Sequence, residues 1–114
     1  MSTIIHIDEQ WLEETAVAVL DGELDTANVG EVAARLRRLV ANRAMRLVVD
    51  LQEVTYIDSA GINLLFAVGG DLRARQQELR LVVRPGSPIE RMLEVAGAAA
   101  AFPTHTSREE AVKD

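Results

Sequence analysis

The segments Leu47-Val48-Val49-Asp50-Leu51 and Tyr56-Ile57-Asp58-Ser59-Ala60-Gly61 decide the fold of this chain. The first is apolar and rich in β-branched residues, which predicts a central strand covered on both faces. An apolar helical stretch begins at Ile62, so the order is strand, short loop, Asp-Ser and helix. This order places the hydroxyl of Ser59 at or beside a helix N-terminus, where free backbone N–H groups favour an anion such as phosphate. A simpler interpretation is that Asp58 or Ser59 only caps the helix.

The segments before this unit predict two strands and a helix. Residues 4–7 and 15–20 are strand candidates, and the acidic stretch between them, which carries Trp11, suggests a hairpin connection. The chain is then expected to turn at Asp21-Gly22. The following helix has apolar side chains at helical spacing up to Val40, and Asp25 is its predicted N-cap.

The segments after the unit predict another strand and further helices. Residues 79–83 form an apolar strand candidate. Ser87 and Glu90 have the spacing of a capping box at the start of a third helix, and Gly97 is expected to end it. A short edge strand is expected at residues 100–103, followed by a final short helix.

The order of these segments predicts an α/β fold: a single domain over residues 1–114, with a mixed sheet of four to five strands. Crossovers between parallel strands are right-handed, so helices that link neighbouring strands are expected mainly on one face. Close packing or a kink would account for Gly69-Gly70 inside the second helix. The predicted core consists of Val17, Val19, Val32, Leu36, Val48, Leu51, Ile62, Leu65, Phe66, Leu81, Val83 and Leu93.

Composition narrows the possible partners. The chain has 114 residues, 48% hydrophobic and 26% charged, with a net charge of −6. Such an acidic chain is a poor candidate for direct nucleic-acid binding or for attraction to an anionic membrane. It contains no cysteine, and no apolar stretch approaches the roughly 20 residues of a membrane span. We therefore expect no membrane insertion and, without a signal-peptide pattern, a cytoplasmic location.

The sequence shows little catalytic chemistry. His6 and His105 lie at opposite ends of the chain, and no spacing of histidines or carboxylates indicates a metal site. The glycines do not form a phosphate-binding loop, and the segment around Ser59 lacks the first glycine of a nucleophile elbow because Ile57 stands there. We expect neither an enzyme nor a bound cofactor.

Three motifs occur in a specific order and spacing: Gly22-Glu23-Leu24-Asp25 before the first helix, Asp58-Ser59-Ala60-Gly61 before the second, and residues 88–97 as the third helix. Together they closely resemble the STAS domain of bacterial anti-sigma factor antagonists. The resemblance extends from about Ile4 to Val112.

The resemblance implies a regulatory binding module. In that family the unmodified antagonist binds a serine kinase that is also the anti-sigma factor, and so releases the sigma factor. The kinase then phosphorylates the serine that matches Ser59, and a PP2C-type phosphatase reverses the modification. The implied partner-binding surface comprises Gly22, Glu23, Asp25, Thr26, Asp58, Ser59, Ala60, Gly61, Asn63 and Leu64.

Two positions depart from the family pattern. Ala60 stands where many members have a second serine, so no neighbouring hydroxyl can substitute for Ser59. Asn63 stands where glycine is common, which would alter the docking surface. Neither departure removes the phosphate acceptor.

Two other functions remain open. A STAS accessory subunit of a membrane transport complex would bind an ATPase or permease without phosphoregulation. A small nucleotide-binding sensor is a third possibility, although no motif supports it.

Overall fold

The computed structural model describes residues 5–41 and 44–113, which form one five-stranded mixed sheet with helices. The spatial order of the strands follows the sequence, with the first pair antiparallel and the remaining pairs parallel. The strands are β1 (Ile5–Leu12), β2 (Thr15–Leu24), β3 (Arg46–Ile57), β4 (Glu78–Val82) and β5 (Thr104–His105). The helices are α1 (Val29–Val40), α2 (Ser59–Ala74), α3 (Pro88–Val95), α4 (Ala98–Ala101) and α5 (Arg108–Ala111).

The helices lie mainly on one face of the sheet, which confirms the predicted fold class. Alternate strand residues such as Ala18, Val49 and Leu81 belong to one large core cluster that also contains buried side chains of α1, α2, α3 and α4. The intervening strand residues Val48 and Val82 form a smaller cluster with α5 on the opposite face. This division follows from the period-two alternation of side chains along a strand.

An ion pair with a buried carboxylate holds α5 against the smaller cluster. Asp50, on β3, is only 1% exposed, and its Oδ2 lies 3.0 Å from Nε of Arg108. Its Oδ1 accepts a hydrogen bond of 2.9 Å from the backbone N–H of Gln52. Burial raises the pKa of the Asp50 carboxyl, although these two interactions oppose that effect.

The predicted hairpin is confirmed, because β1 pairs antiparallel with β2. Its connection is shorter than expected, since β1 continues to Leu12 and a tight turn contains Glu13 at φ 55°. Two other predictions for the first half of the chain were wrong. The turn expected at Asp21-Gly22 is strand, because shifts of register let β2 remain paired with β3 up to Leu24. The N-cap of α1 is Asn28 and not Asp25.

Phe66 was wrongly assigned to the core, and Val19 is only half-buried. The Phe66 side chain is 37% exposed, and its ring lies 5.6 Å from that of Phe102. Close packing explains Gly69, because a Cβ there would lie 2.2 Å from Cε1 of Phe102. Gly70 has no such neighbour within 4 Å.

The C-terminal third matches the prediction in its caps and differs in one strand. Ser87 caps α3 by accepting a 3.2 Å hydrogen bond from the N–H of Glu90, but the Glu90 carboxylate accepts from Gly86, not from Ser87. The edge strand expected at residues 100–103 was wrong: α4 ends at Ala101, and β5 follows at Thr104–His105. No helix within the described residues is long and apolar enough to cross a membrane.

Candidate functional site

A single residue, Asp58, separates the end of β3 from the start of α2. The short loop predicted after residue 51 is absent, because β3 continues to Ile57. Asp58 has extended backbone geometry and is the N-cap of α2. Its Oδ1 accepts a 3.0 Å hydrogen bond from the N–H of Gly61. The capped helix α2 therefore begins directly after strand β3.

The same carboxylate joins α2 to the loop between β2 and α1. Oδ2 of Asp58 accepts hydrogen bonds of 3.2 Å from both the backbone N–H and the hydroxyl of Thr26. The hydrogen bond from Gly61 contributes most to lowering the pKa of the Asp58 carboxyl, and those from Thr26 add to it. Two of the segments that the sequence singled out thus meet at one charged side chain.

Ser59 is the first residue of α2 and is exposed. Among the described residues, none forms a hydrogen bond with its hydroxyl. The expected set of free helix N–H groups is only partly present, because the Asp58 carboxylate already accepts from Gly61. A phosphate on Ser59 would therefore lie beside a carboxylate, and like charge would oppose it.

The loop before α1 is fixed by Asn28, which lies outside the three sequence motifs. Asn28 is buried, and its amide donates a 2.7 Å hydrogen bond to the carbonyl of Glu23 while its Oδ1 accepts from the N–H of Asp25 at 3.1 Å. Oδ1 of Asp25 accepts from the N–H of Ala27 at 3.0 Å. Side-chain hydrogen bonds of this kind are typical of Asx turns, and they hold Thr26 near Asp58. The residue type alone, an Asn three positions after an Asp, was the available signal.

The structure explains why two of the predicted site residues are glycines. A Cβ on Gly61 would lie 2.6 Å from Cγ1 of Ile57 and 2.9 Å from the carbonyl oxygen of Leu24, so only glycine lets α2 approach so closely. Gly22 has φ 127°, a conformation that favours glycine, and its carbonyl accepts from the Thr55 hydroxyl at 3.3 Å.

The remaining predicted residues divide between surface and core. Glu23, Thr26 and Asn63 are exposed, and Ala60 is half-buried. Leu64 is only 6% exposed and belongs to the main core cluster. Leu64 can therefore support the surface from beneath but contributes little area to it.

An apolar groove next to Ser59 was not anticipated. It lies between α2 and α3 and has a volume of about 510 Å³. Met92 is 39% exposed, and Val95 is 81% exposed. The available signal was Val95 itself, an apolar residue outside the helical spacing of Ile89 and Leu93.

Comparison with known proteins identifies the family. The family model described as the STAS domain matches residues 7–111. The chain belongs to the STAS domain family. The resemblance drawn from the three sequence motifs is thereby confirmed, and the fold described above is the fold of this family.

One curated relative and two solved structures illustrate what this chain is similar to. The chain is 34% identical over 96 residues to a Bordetella bronchiseptica protein provisionally named anti-sigma factor antagonist BtrV, covering 83% of this chain and 81% of that protein. A solved structure of an anti-sigma factor antagonist from Mycobacterium paratuberculosis has a TM-score of 0.85 at 22% identity, over 96% of this chain and 92% of that one. The structure of the phosphorylated form of the Bacillus cell fate determinant SpoIIAA has a TM-score of 0.73 at 21% identity, over 94% of this chain and 96% of that one.

Proposed function

We propose that this STAS domain is an anti-sigma factor antagonist that is active when Ser59 is unmodified and inactive when Ser59 is phosphorylated. The observation that carries the proposal is the exposed hydroxyl of Ser59 at the first position of α2, beside the loop that Asp58 holds through Thr26. The name of the Bordetella relative supports the same role. The chain acts in this proposal as a binding module and not as an enzyme.

The proposed partner is an anti-sigma factor serine kinase with bound ATP. In the transfer, the Ser59 Oγ–phosphorus bond forms and the bond from the γ-phosphorus to the bridging oxygen of ADP breaks. The hydroxyl proton passes to a base of the kinase, and ADP leaves. A PP2C-type phosphatase would hydrolyse the phosphoserine and restore the binding form.

Local charge explains why the modification weakens binding without unfolding the domain. A phosphate adds about −1.5 to −2 charge near neutral pH. It would be attached next to the Asp58 carboxylate, whose pKa is lowered, in a chain whose net charge is already −6. The cap of α2 is the Asp58 carboxylate and not the Ser59 hydroxyl, so phosphorylation leaves the hydrogen bond to Gly61 in place. The change is thus confined to the surface that meets the kinase.

The test is a comparison of kinase capture by three forms of the protein. Wild type, Ser59→Ala and Ser59→Glu are used as baits in lysate from the source organism, and retained proteins and modified residues are identified by mass spectrometry. We expect Ser59→Ala to retain a serine kinase, Ser59→Glu to retain little of it, and phosphate to appear on Ser59 of the wild type. Thr106→Ala, which removes a different exposed hydroxyl, should behave as wild type.

Two results would contradict the proposal. Equal retention of the kinase by Ser59→Ala and Ser59→Glu would mean that the serine has no switching role. Recovery of transporter subunits by all three baits, with no serine kinase, would instead support the transport-accessory function.

A further inference from the structure

The groove between α2 and α3 shares a wall with the proposed phosphorylation site. Ser59 and Ile62 line it from α2, and Arg91 and Met92 line it from α3. Any protein that brings a phosphoryl group to the Ser59 hydroxyl must therefore cover one end of this groove. In the proposed function, that protein is the kinase.

The groove is lined by several exposed apolar side chains. Among the large apolar side chains that are exposed in the described part of the chain, Phe66, Met92 and Val95 all line it. Their exposed fractions are 37%, 39% and 81%, respectively. Contiguous apolar surface of this kind is typical of a site for another protein.

One lining side chain of the groove, Phe66, is held in place by packing. The ring of Phe66 lies 5.6 Å from that of Phe102 at an interplanar angle of 51°. Phe102 in turn occupies the space that a side chain at Gly69 would fill. Because packing determines the position of Phe66, this part of the groove is formed before a partner arrives, which lowers the ordering cost of binding.

One cationic side chain accompanies this apolar surface. Arg91 is exposed, lines the groove together with Ser59, and forms no salt bridge with any residue that the structure describes. No carboxylate is among the groove-lining residues in the described part of the chain. In a protein with a net charge of −6, this local cation favours an occupant that carries negative charge beside an apolar side chain.

We infer that the groove is a second docking site for the kinase that phosphorylates Ser59, and that it receives an apolar segment of the kinase whose carboxylate pairs with Arg91. This inference rests on the proposed function and adds a contact to it. It also adds a second route for the switch: a phosphate on Ser59 would enter the same groove, repel the kinase carboxylate and compete with it for Arg91.

The test measures the affinity of the kinase, identified by capture on the Ser59→Ala bait, by calorimetry in the presence of ADP so that no transfer occurs. Arg91→Ala and Val95→Ser remove the charge and the most exposed apolar side chain of the groove. We expect each to weaken binding by about fivefold or more, as for central interface residues. Matched controls outside the groove are Arg38→Ala, which also removes an exposed arginine, and Met45→Ser, which removes an apolar side chain that is 54% exposed. Both controls should stay within about twofold of wild type.

Circular dichroism and thermal unfolding confirm that each variant is folded, and Val95→Ala serves as a milder variant if Val95→Ser is not. Wild-type affinity for both Arg91→Ala and Val95→Ser, with Ser59→Glu still weakened, would overturn the groove inference and leave the proposed function intact. If only Val95→Ser weakens kinase binding and Arg91→Ala does not, the proposed pairing of a kinase carboxylate with Arg91 is wrong. Equal affinity for wild type and Ser59→Glu would instead overturn the proposed function.

Discussion

Asp58 and Thr26 are 32 positions apart in the sequence, and two hydrogen bonds of 3.2 Å join them. The same Asp58 carboxylate caps α2 through Gly61. One side chain therefore sets both the start of the helix that carries Ser59 and the position of the loop beside it. Any movement of that carboxylate is coupled to both halves of the proposed partner surface.

Removal of this carboxylate should destabilise the domain. Asp58→Ala leaves the N–H of Gly61 and both donors of Thr26 without their acceptor, and loss of an N-cap costs about 0.5–2 kcal/mol. Asp58→Asn retains a capping oxygen and should cost less. Urea unfolding at pH 7 measures both variants, and equal stability of Asp58→Ala and wild type would show that water replaces the carboxylate fully.

The acid dependence of stability should reflect the lowered pKa of Asp58. A carboxyl whose pKa is lowered on folding stabilises the native state above its unfolded pKa, near the ordinary value of 3.8, and loses that contribution as the pH falls through the folded pKa. The free energy of unfolding of wild type relative to Asp58→Asn should therefore be constant from pH 7 to about 5 and fall below about 4. A difference that is independent of pH down to 2 would contradict this.

Asp50 should show the opposite dependence. Burial raises its pKa above 3.8, so the native state binds the proton more tightly than the unfolded chain does. Its contribution to stability is then most favourable at low pH and decreases as the pH rises through the folded pKa. Relative to Asp50→Asn, wild type should lose stability as the pH rises above the unfolded pKa near 3.8, measured by urea unfolding at each pH.

The partner of Asp50 provides a control. Arg108→Ala removes the neighbouring cation and should raise the pKa of Asp50 further, which moves the loss of stability to higher pH. An unchanged pH profile in Arg108→Ala would mean that the ion pair does not influence the carboxyl.

Two adjacent glycines in α2 should respond in opposite directions to the same substitution. Gly69→Ala places a methyl group 2.2 Å from the Phe102 ring, and overpacking of this kind costs about 1–3 kcal/mol. Gly70→Ala meets nothing within 4 Å and should stabilise the helix by about 0.5–1 kcal/mol. Chemical denaturation of both variants is the measurement. Stabilisation by both would mean that Phe102 moves aside without cost.

Leu65 should be among the most sensitive positions of α2. It is fully buried in the main core cluster, so Leu65→Ala should cost about 2–5 kcal/mol through lost burial and a cavity. Leu12→Ala, at a half-exposed position of edge strand β1, is the matched control and should cost much less. Denaturant unfolding that gives a loss well under 1 kcal/mol for Leu65→Ala would contradict the burial of Leu65 in the core.

The sequence alone determined the fold class, the order of the elements up to α3 and the place of Ser59 at the start of α2. These features depend on local signals. The helical spacing of apolar residues predicted α1. A short polar side chain before a helical stretch predicts an N-cap, and Ser87 and Ser107 are the N-caps of α3 and α5. The three motifs also sufficed to recognise the STAS domain family, because their spacing along the chain is specific.

Only the tertiary structure decided which of these residues meet and which remain exposed. The link from Thr26 to Asp58 depends on the register of β2 against β3, and that register includes bulges that no local pattern announces. The exposure of Phe66 also depends on a contact between distant segments. The ring of Phe102, which follows α4, fills the space over Gly69. Local periodicity fixes how a segment folds, whereas contacts between distant segments fix which of its faces the molecule buries.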